Sequence, residues 1–222
     1  MSGTELVIRG SGRFVKREIL RCAGRTVLDV GCGGGRFSRF AADLGRSVVA
    51  LDVDPRRLAE IDGLPRVRAD AARLPFADDS FETVFLINVV EHVEDDVAAL
   101  REAARVAARN ILVSVPKRDT YPSHRSGLVY RGYFDPTHLR YYTEEALKAT
   151  LEKAGFGNFR IAHYSRVRPA FFYHRLGYPR LLLKVLDSLF WFFGRKSARF
   201  YQTLFAEVFL TGAQPLTCSR DP

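Results

Sequence analysis

The chain has 222 residues, of which 47% are hydrophobic and 27% charged, and its formal net charge is +9. This length and composition fit one large globular domain with a sizeable core, and they exclude a disordered chain. The three cysteines, Cys22, Cys32 and Cys218, are scattered along the sequence. They are too few for a disulfide framework and lack paired metal-binding spacing. We therefore expect a reducing compartment, the cytoplasm, and no metal site. We also expect no signal peptide, because no long apolar stretch follows the basic residues near the N-terminus.

The excess positive charge lies at the two ends of the chain. Residues 1–25 carry six basic and two acidic side chains, and residues 165–222 carry nine and three. Basic ends favour an anionic partner such as lipid headgroups, nucleic acid or an acidic substrate. An arginine-rich proteome would explain the same charge without any partner. A peripheral contact with the inner face of an anionic membrane is therefore one expectation.

Strand patterns alternate with helix patterns along the chain. Short β-branched runs that end at glycine or a polar residue predict buried strands, and apolar residues spaced three and four apart predict helices. Strands are predicted at 26–30, 47–51, 66–69, 81–87, 110–115, 159–164 and 202–211, and helices at 36–45, from Pro55, over roughly 95–108 and at 143–153. Such alternation predicts an α/β fold with parallel strands joined by crossover helices.

Polar residues follow four of the predicted strands at the point where each strand ends. Asp29 and a run of glycines follow the first strand, Asp52 the second, Asp70 the third and Asn88 the fourth. Open parallel sheets bind ligands outside the carboxyl ends of their strands. The four strand ends therefore predict one binding site at one edge of the sheet.

The glycine run "LDVGCGGGRF" limits which ligand can bind there. A dinucleotide fingerprint counted from Gly31 requires glycine at position 36, which is arginine, and a phosphate loop requires a lysine that is missing. Asp29, two residues before the first glycine, suits an ammonium group. Asp52 can accept both hydroxyls of a ribose, and Asp70 an exocyclic amine. A ligand with an α-amino acid, a ribose and an adenine would satisfy all three carboxylates.

These motifs resemble a known family. "VLDVGCGGGRFS", "VVALDVDP", "ADAARLPFADDSFETVF" and "NVVEHVED" are similar to the successive motifs of the class I S-adenosylmethionine-dependent methyltransferases. The similarity is greatest to the small-molecule branch with a type 11 methyltransferase domain, which includes the ubiquinone-biosynthesis O-methyltransferases, and "HLRYYTEEALKATLEKAGF" resembles a later segment of that branch. The resemblance covers roughly residues 25–164. It implies a Rossmann-like, doubly wound sheet of seven strands, the last of them antiparallel.

The resemblance also implies a cofactor, a reaction and a set of site residues. The cofactor would be S-adenosylmethionine, and the acceptor a small molecule methylated on an oxygen. By position, the implied cofactor-binding residues are Asp29, Gly31, Cys32, Gly33, Gly35, Asp52, Val53, Asp70, Ala71 and Asn88. The methionine end would be held by Asp29, Gly31, Gly33 and Gly35. Asp52 would take the ribose, Val53 would lie beside the adenine, and Asp70 and Ala71 would take the adenine edge. The backbone carbonyl of Asn88 would lie near the sulfonium.

Two histidines are candidates for proton transfer from an acceptor hydroxyl. His92 follows Asn88 by four residues, and His138 lies in "DPTHLRYY" within the polar stretch 117–142. Imidazole titrates near neutrality, so either ring can act as a base. His92 can instead cap or pack at the start of the next helix. The stretch 117–142 is expected to cover the substrate, because loops of that length are uncommon unless functional.

The segment between the sixth and seventh predicted strands is unusually long for this resemblance. It contains an apolar helical pattern at 181–193, roughly 20 Å long and too short to span a membrane of about 30 Å. This helix can pack on its own domain or in a homodimer, lie in a membrane interface beside basic residues, or cover a lipid-like substrate. We divide the chain into a basic helical segment (1–25), a methyltransferase core (26–164), a helical insertion (165–201) and a final strand with a tail (202–222).

Three further functions stay open. An oxidoreductase on the same sheet is disfavoured by Arg36, and a non-catalytic interaction protein is disfavoured by the intact carboxylates. Methyltransferases that act on base amino groups carry a D/N/S-P-P-aromatic motif after the fourth strand, where this chain reads Asn88-Val89-Val90-Glu91. Nucleic acid is therefore not expected as the substrate.

Overall fold

The computed structural model describes residues 11–117, 135–166 and 201–210, together with four single positions between 182 and 189. Its helices are α1 (Ser11–Cys22), α2 (Arg36–Asp43), α3 (Pro55–Ala59), α4 (Asp96–Val106) and α5 (Glu144–Lys153). Its strands are β1 (Thr26–Val30), β2 (Ser47–Asp52), β3 (Arg66–Arg68), β4 (Phe81–Ile87), β5 (Ala107–Pro116), β6 (Phe159–Arg166) and β7 (Tyr201–Phe209).

The seven strands form one sheet in the order β3-β2-β1-β4-β5-β7-β6. The first five strands are parallel to their neighbours, whereas β7 runs antiparallel to both β5 and β6. The chain order reverses direction across the sheet at β1 and β4, the switch point where open α/β sheets bind ligands. The predicted Rossmann-like sheet with an antiparallel last strand is therefore confirmed.

The core has two layers, one on each face of the sheet. Val27 and Phe85 pack with α1 and α2 on one face, and Leu28 and Leu86 pack with α4 and α5 on the other. Successive strand residues point to opposite faces, so a strand buried on both sides is apolar throughout. The rigid sheet fixes the position of its carboxyl edge, where the candidate site lies.

Two helices begin with side-chain caps. Asp95 Oδ1 accepts a hydrogen bond from the backbone N–H of Ala98 at 2.8 Å, and Thr143 Oγ1 accepts one from Ala146 at 3.1 Å. Each satisfies an N–H group that the first helical turn leaves without an internal partner. These caps fix α4 and α5 behind the two loops that carry the histidines.

The α4–β5 boundary differs from the prediction. The helix was expected to reach position 108, but α4 ends at Val106 and β5 begins at Ala107. The early strand brings Asn110 into the interior, where its Oδ1 accepts from Thr83 Oγ1 at 2.7 Å and its Nδ2 donates to the Cys22 carbonyl at 3.2 Å. The pairing of Ala107 with Phe81 of β4 extends the strand into the last turn of the predicted helix.

Most of the predicted insertion helix lies outside the described residues. Of the positions described there, Leu182, Val185 and Leu189 are helical and exposed. Their spacing places them along one helix face. The membrane contact, the homodimer and the four-part division of the chain stay predictions. Among the described helices, none combines the length and the apolarity that crossing a bilayer requires.

Candidate cofactor-binding and active site

The loop after β1 is a tight turn built on left-handed glycines. Gly31, Gly33 and Gly35 have φ values of 63°, 52° and 72°, a region that side-chain-bearing residues rarely adopt. A Cβ on Gly31 would lie 2.6 Å from Val89 Cγ2, whereas a Cβ on Gly33 would meet no described atom within 4 Å. The glycine at 31 therefore serves packing within the protein, and the open side at Gly33 is where a ligand can approach the backbone.

Asp52, at the end of β2, is fixed by the same loop. Its Oδ2 accepts from the backbone N–H of Gly33 at 2.8 Å, and its Oδ1 accepts from that of Asp54 at 2.9 Å. The two elements are further joined by a backbone bond from Cys32 N–H to the Leu51 carbonyl at 3.0 Å. Each carboxylate oxygen retains acceptor capacity, so Asp52 is oriented in advance for a pair of hydroxyls.

Asp29 lies inside the sheet edge beside this loop. It is 2% exposed, and its Oδ2 accepts from Ser38 Oγ at 2.5 Å. Burial raises the pKa of Asp29 to about 7; the Ser38 hydrogen bond opposes this rise, and the neighbouring charge of Asp52 adds to it. A buried carboxyl of this kind gains most from a cationic ligand group.

Asp29 should make stability depend on pH. Its carboxyl titrates near 3.8 when unfolded and near 7 when folded, so the native state binds more protons between these values. The free energy of unfolding should therefore fall as pH rises, by about 2–3 kcal/mol between pH 5 and 8 from this group alone. Urea unfolding of the wild type and Asp29→Asn at both pH values isolates the effect. A wild-type-minus-variant difference that is equal at both pH values would contradict it.

Cys32 lines the same turn as a neutral thiol. Burial raises its pKa to about 12, and the carboxylates of Asp29 and Asp52 raise it further. Its Sγ lies 3.6 Å from the Gly33 carbonyl. The side chain therefore contributes apolar surface to the turn and has little nucleophilic character at neutral pH.

The predicted adenine-side residues lie along the ends of β2 and β3. Val53 is 63% exposed, an unusual position for a β-branched side chain, and Ala71 is buried. Asp70 is exposed, and its Oδ1 accepts from the backbone N–H of Ala72 at 2.8 Å. Asp70 thus closes a turn, and its other oxygen is not committed by that bond.

Asn88 ends β4 in a strained backbone conformation. Its φ is +57°, and its Oδ1 accepts from Ser114 Oγ at 3.0 Å. Ser114 Oγ also lies 2.5 Å from Tyr164 Oη. A non-glycine residue in the left-handed region is uncommon, and such residues concentrate at functional sites. This turn directs the chain from β4 towards His92.

The two candidate catalytic histidines meet beside a buried carboxyl. The ring centroids of His92 and His138 are 4.6 Å apart, and the Glu91 side chain is fully buried. Burial raises the pKa of Glu91 to about 8, and the charge of Asp135 contributes to the rise. The sequence predicts that both histidines act on the same acceptor hydroxyl. The structure brings the two rings together and adds the buried Glu91 beside them.

Main-chain contacts fix these two segments to each other. The Leu139 N–H donates to the Glu91 carbonyl at 2.9 Å. The Arg140 guanidinium donates to the carbonyls of Val90 at 3.1 Å and Val93 at 2.6 Å. The two segments that carry the histidines are therefore held together by hydrogen bonds to backbone carbonyls.

Sequence reasoning missed several residues that support the site. Ser38 was read only as part of the helix after the glycines, although a serine on an otherwise apolar face is a signal for a buried hydrogen bond. Asp135 and Thr137 orient the histidine loop, and an Asp-Pro-Thr sequence is typical of such a turn. The burial of Glu91 had no local signal, because a segment more than 40 positions away covers it.

The chain is similar to known methyltransferases. Residues 28–113 match a family model described as "Methyltransferase domain". A protein described as "Probable S-adenosylmethionine-dependent methyltransferase" from Mycolicibacterium smegmatis is 36% identical over 142 residues, which cover 61% of this chain and 53% of that protein. Residues 28–113 are therefore similar in sequence to methyltransferase domains of the S-adenosylmethionine-dependent family.

Two further likenesses are to a relative's sequence and to a solved structure. A ubiquinone biosynthesis O-methyltransferase from Xanthomonas oryzae is 38% identical over 96 residues, which cover 39% of this chain and 40% of that protein. A crystal structure of a SAM-dependent methyltransferase from Archaeoglobus fulgidus has a TM-score of 0.65 at 23% identity and covers 91% of this chain and 96% of that one. At that identity the likeness shows the fold. The chain spans about half the length of the first curated relatives it matches.

Proposed function

We propose that the protein binds S-adenosylmethionine at the carboxyl edge of β1 and β2 and transfers its methyl group to an oxygen of a small molecule. One observation carries the proposal. Asp29, the Gly33 turn and Asp52 converge at the switch point of the sheet, joined by the 2.8 Å bond between the Gly33 N–H and Asp52. The family match supports the cofactor, and the similarity to an O-methyltransferase supports oxygen as the acceptor atom.

Each part of the cofactor has a complementary group at this edge. Asp29 would pair with the ammonium of the methionine end, and ionisation of its buried carboxyl would be favoured by that charge. Asp52 would accept the ribose hydroxyls in its fixed orientation. The exposed face of Val53 would pack against the adenine, and Asp70 would accept from its amine.

The acceptor would bind beside Asn88, His92 and His138. Methyl transfer from a sulfonium is an in-line displacement, so alignment of the acceptor oxygen with the methyl group supplies much of the rate. The hydroxyl oxygen forms the new bond to carbon, the carbon–sulfur bond breaks, and its electron pair stays on sulfur. The hydroxyl proton must leave, and the adjacent histidine pair would promote this loss.

A labelled methyl donor tests the proposal directly. The protein is incubated with S-adenosylmethionine carrying a trideuteromethyl group and with matched hydroxylated and aminated aromatic acceptors. Mass spectrometry should detect label on oxygen, together with S-adenosylhomocysteine. Label found on nitrogen alone would contradict the oxygen assignment. Calorimetry that detects no binding of S-adenosylhomocysteine would contradict the function as a whole.

A further inference from the structure

Two hydrogen bonds join Asn88, which follows β4, to Ser114 of β5. The backbone N–H of Asn88 donates to the Ser114 carbonyl at 2.9 Å, and Ser114 Oγ donates to Asn88 Oδ1 at 3.0 Å. The φ of Asn88 is +57°, a left-handed value that asparagine tolerates better than most residues with side chains. One serine therefore holds both the main chain and the side chain of this turn.

The hydroxyl of Tyr164 extends this contact from β6. Its Oη lies 2.5 Å from Ser114 Oγ. The strand β7 lies between β5 and β6, so the tyrosine side chain reaches across a whole strand. A serine hydroxyl carries one proton, which Ser114 gives to Asn88, so Tyr164 is the donor of the second bond. The three side chains therefore form the Tyr164–Ser114–Asn88 network, in which each residue donates to the next.

Packing leaves the first two members of the network little freedom. Ser114 is fully buried, and Tyr164 is 3% exposed. The Tyr164 ring stacks on Phe14 of α1 with centroids 4.7 Å apart, and it meets Phe205 of β7 at an interplanar angle of 82°. A buried hydroxyl without a partner loses its hydration and gains nothing in return, so these bonds are favoured to stay closed. The third member, Asn88, is exposed at the carboxyl edge of the sheet.

The direction of the network determines which group of the Asn88 amide is available. Oδ1 accepts from Ser114, and that bond leaves the two N–H groups on Nδ2 uncommitted. Oδ1 and Nδ2 are bonded to the same carbon, so fixing the first atom fixes the orientation of the second. An amide Nδ2 can only donate, so the group that it binds must be an acceptor, such as an oxygen with a lone pair.

We infer that Ser114 and Tyr164 are positioning residues for methyl transfer, which hold the Asn88 turn and direct its Nδ2 group as a hydrogen-bond donor towards an oxygen of the acceptor. The inference rests on the proposed function and deepens it at the same site. Methyl transfer needs the acceptor oxygen, the methyl carbon and the sulfur in line. Displacement of Asn88 should therefore cost rate more than cofactor affinity.

The network is tested on the full chain, without any acceptor, by nuclear magnetic resonance. Asparagine occurs at positions 88, 110 and 158 only, so labelling with ¹⁵N-asparagine gives three pairs of side-chain amide signals. Asn88→Asp identifies the Asn88 pair by its loss. Tyr164→Phe and Ser114→Ala should each shift this pair and increase its fast motion, because Oδ1 is held less firmly. If neither folded variant alters the pair, the inference is overturned; if one variant fails to fold, the other decides.

Thr83→Val is the matched control for the removal of a buried hydroxyl. Thr83 Oγ1 donates to Asn110 Oδ1 at 2.7 Å and accepts from the Gly24 N–H at 2.9 Å. Thr83 lies near the amino end of β4, whereas Asn88 follows the carboxyl end. The variant should therefore shift the Asn110 pair of signals and leave the Asn88 pair unchanged. A shift of the Asn88 pair as large as that in Tyr164→Phe would overturn the inference.

Rate and affinity separate positioning from folding. With the acceptor that takes up the label, Tyr164→Phe should lower kcat roughly tenfold and keep the wild-type affinity for S-adenosylhomocysteine, because alignment is lost and cofactor binding is not. Thr83→Val should keep the wild-type kcat. Asn88→Asp keeps an oxygen for Ser114 but lacks the N–H groups, so its KM for the acceptor should rise roughly tenfold. Wild-type kcat in Tyr164→Phe, or wild-type KM in Asn88→Asp, overturns the inference while the proposed function stands.

S-adenosylhomocysteine distinguishes this inference from the proposed function. At saturation it should shift the Asn88 signals of the wild type, because the backbone carbonyl of Asn88 would lie near the sulfur. Binding that leaves these signals in place overturns the inference and leaves the cofactor assignment standing. If S-adenosylhomocysteine does not bind, the proposed function fails and the acceptor role of Asn88 fails with it.

Discussion

Asp52→Ala is expected to weaken S-adenosylhomocysteine binding roughly tenfold or more. Hydrogen bonds to a charged group contribute about 1.5–3 kcal/mol, and tenfold in affinity corresponds to about 1.4 kcal/mol. The variant also removes the two backbone contacts that Asp52 makes to Gly33 and Asp54. The glycine turn should then lose part of its preorganisation, which adds to the loss. Calorimetry at fixed pH measures the change.

Binding of two nucleosides tests whether the lost affinity comes from the ribose hydroxyls. Adenosine should lose affinity for the Asp52→Ala protein, whereas 2′,3′-dideoxyadenosine, which lacks the hydroxyls, should lose much less. Asp62→Ala is the control for charge, because Asp62 is exposed and follows α3. If S-adenosylhomocysteine binds Asp52→Ala as tightly as it binds the wild type, Asp52 does not hold the ribose.

Gly31→Ala is expected to lower the free energy of unfolding, whereas Gly33→Ala is expected mainly to weaken S-adenosylhomocysteine binding. At Gly31 the added methyl group would lie 2.6 Å from Val89 Cγ2 and 3.1 Å from its Cγ1. Val89 is buried and β-branched, so it has little freedom to move. Left-handed backbone strain and overpacking together should lower the free energy of unfolding by roughly 2–4 kcal/mol. Thermal or urea unfolding without ligand measures this loss.

Gly33→Ala carries similar backbone strain without the collision. Its stability should fall by only about 1 kcal/mol, but its methyl group would enter the space where we place the cofactor. S-adenosylhomocysteine affinity should therefore fall roughly tenfold, about 1.4 kcal/mol. Wild-type affinity for S-adenosylhomocysteine in this variant would show that the cofactor does not lie against the turn at Gly33. Equal stability of the two variants would show that the contact with Val89 does not require glycine.

The sheet could be predicted from sequence because its strands carry strong local signals. β1 and β4 begin and end where the apolar runs do, since turn residues bound them on both sides. The antiparallel position of β7 came from the resemblance, and no local pattern encodes it. The start of β5 was misplaced, because Ala107 pairs with Phe81 of β4 only in the folded chain.

In the candidate site, too, the sequence predicts the residues that follow strands directly and misses those that depend on tertiary contacts. Asp29 and Asp52 follow strands directly, so their meeting at one edge follows from parallel topology. The sequence pattern assigns no role to Glu91, which directly precedes His92. Its burial depends on Leu139 and Arg140, which arrive from a loop more than 40 positions later. Tertiary contacts of this kind determine which polar side chain is left without a partner, and single-sequence patterns do not contain them.

The place of β7 between β5 and β6 has a consequence for how the chain is made. Among the described strands β6 pairs only with β7, which leaves the ribosome about 35 residues later. During synthesis the first five strands can associate while β6 still exposes unpaired edge groups and waits for its neighbour. The nascent protein thus carries an incomplete half-sheet until translation has passed position 209, and in that interval it depends most on protection from aggregation.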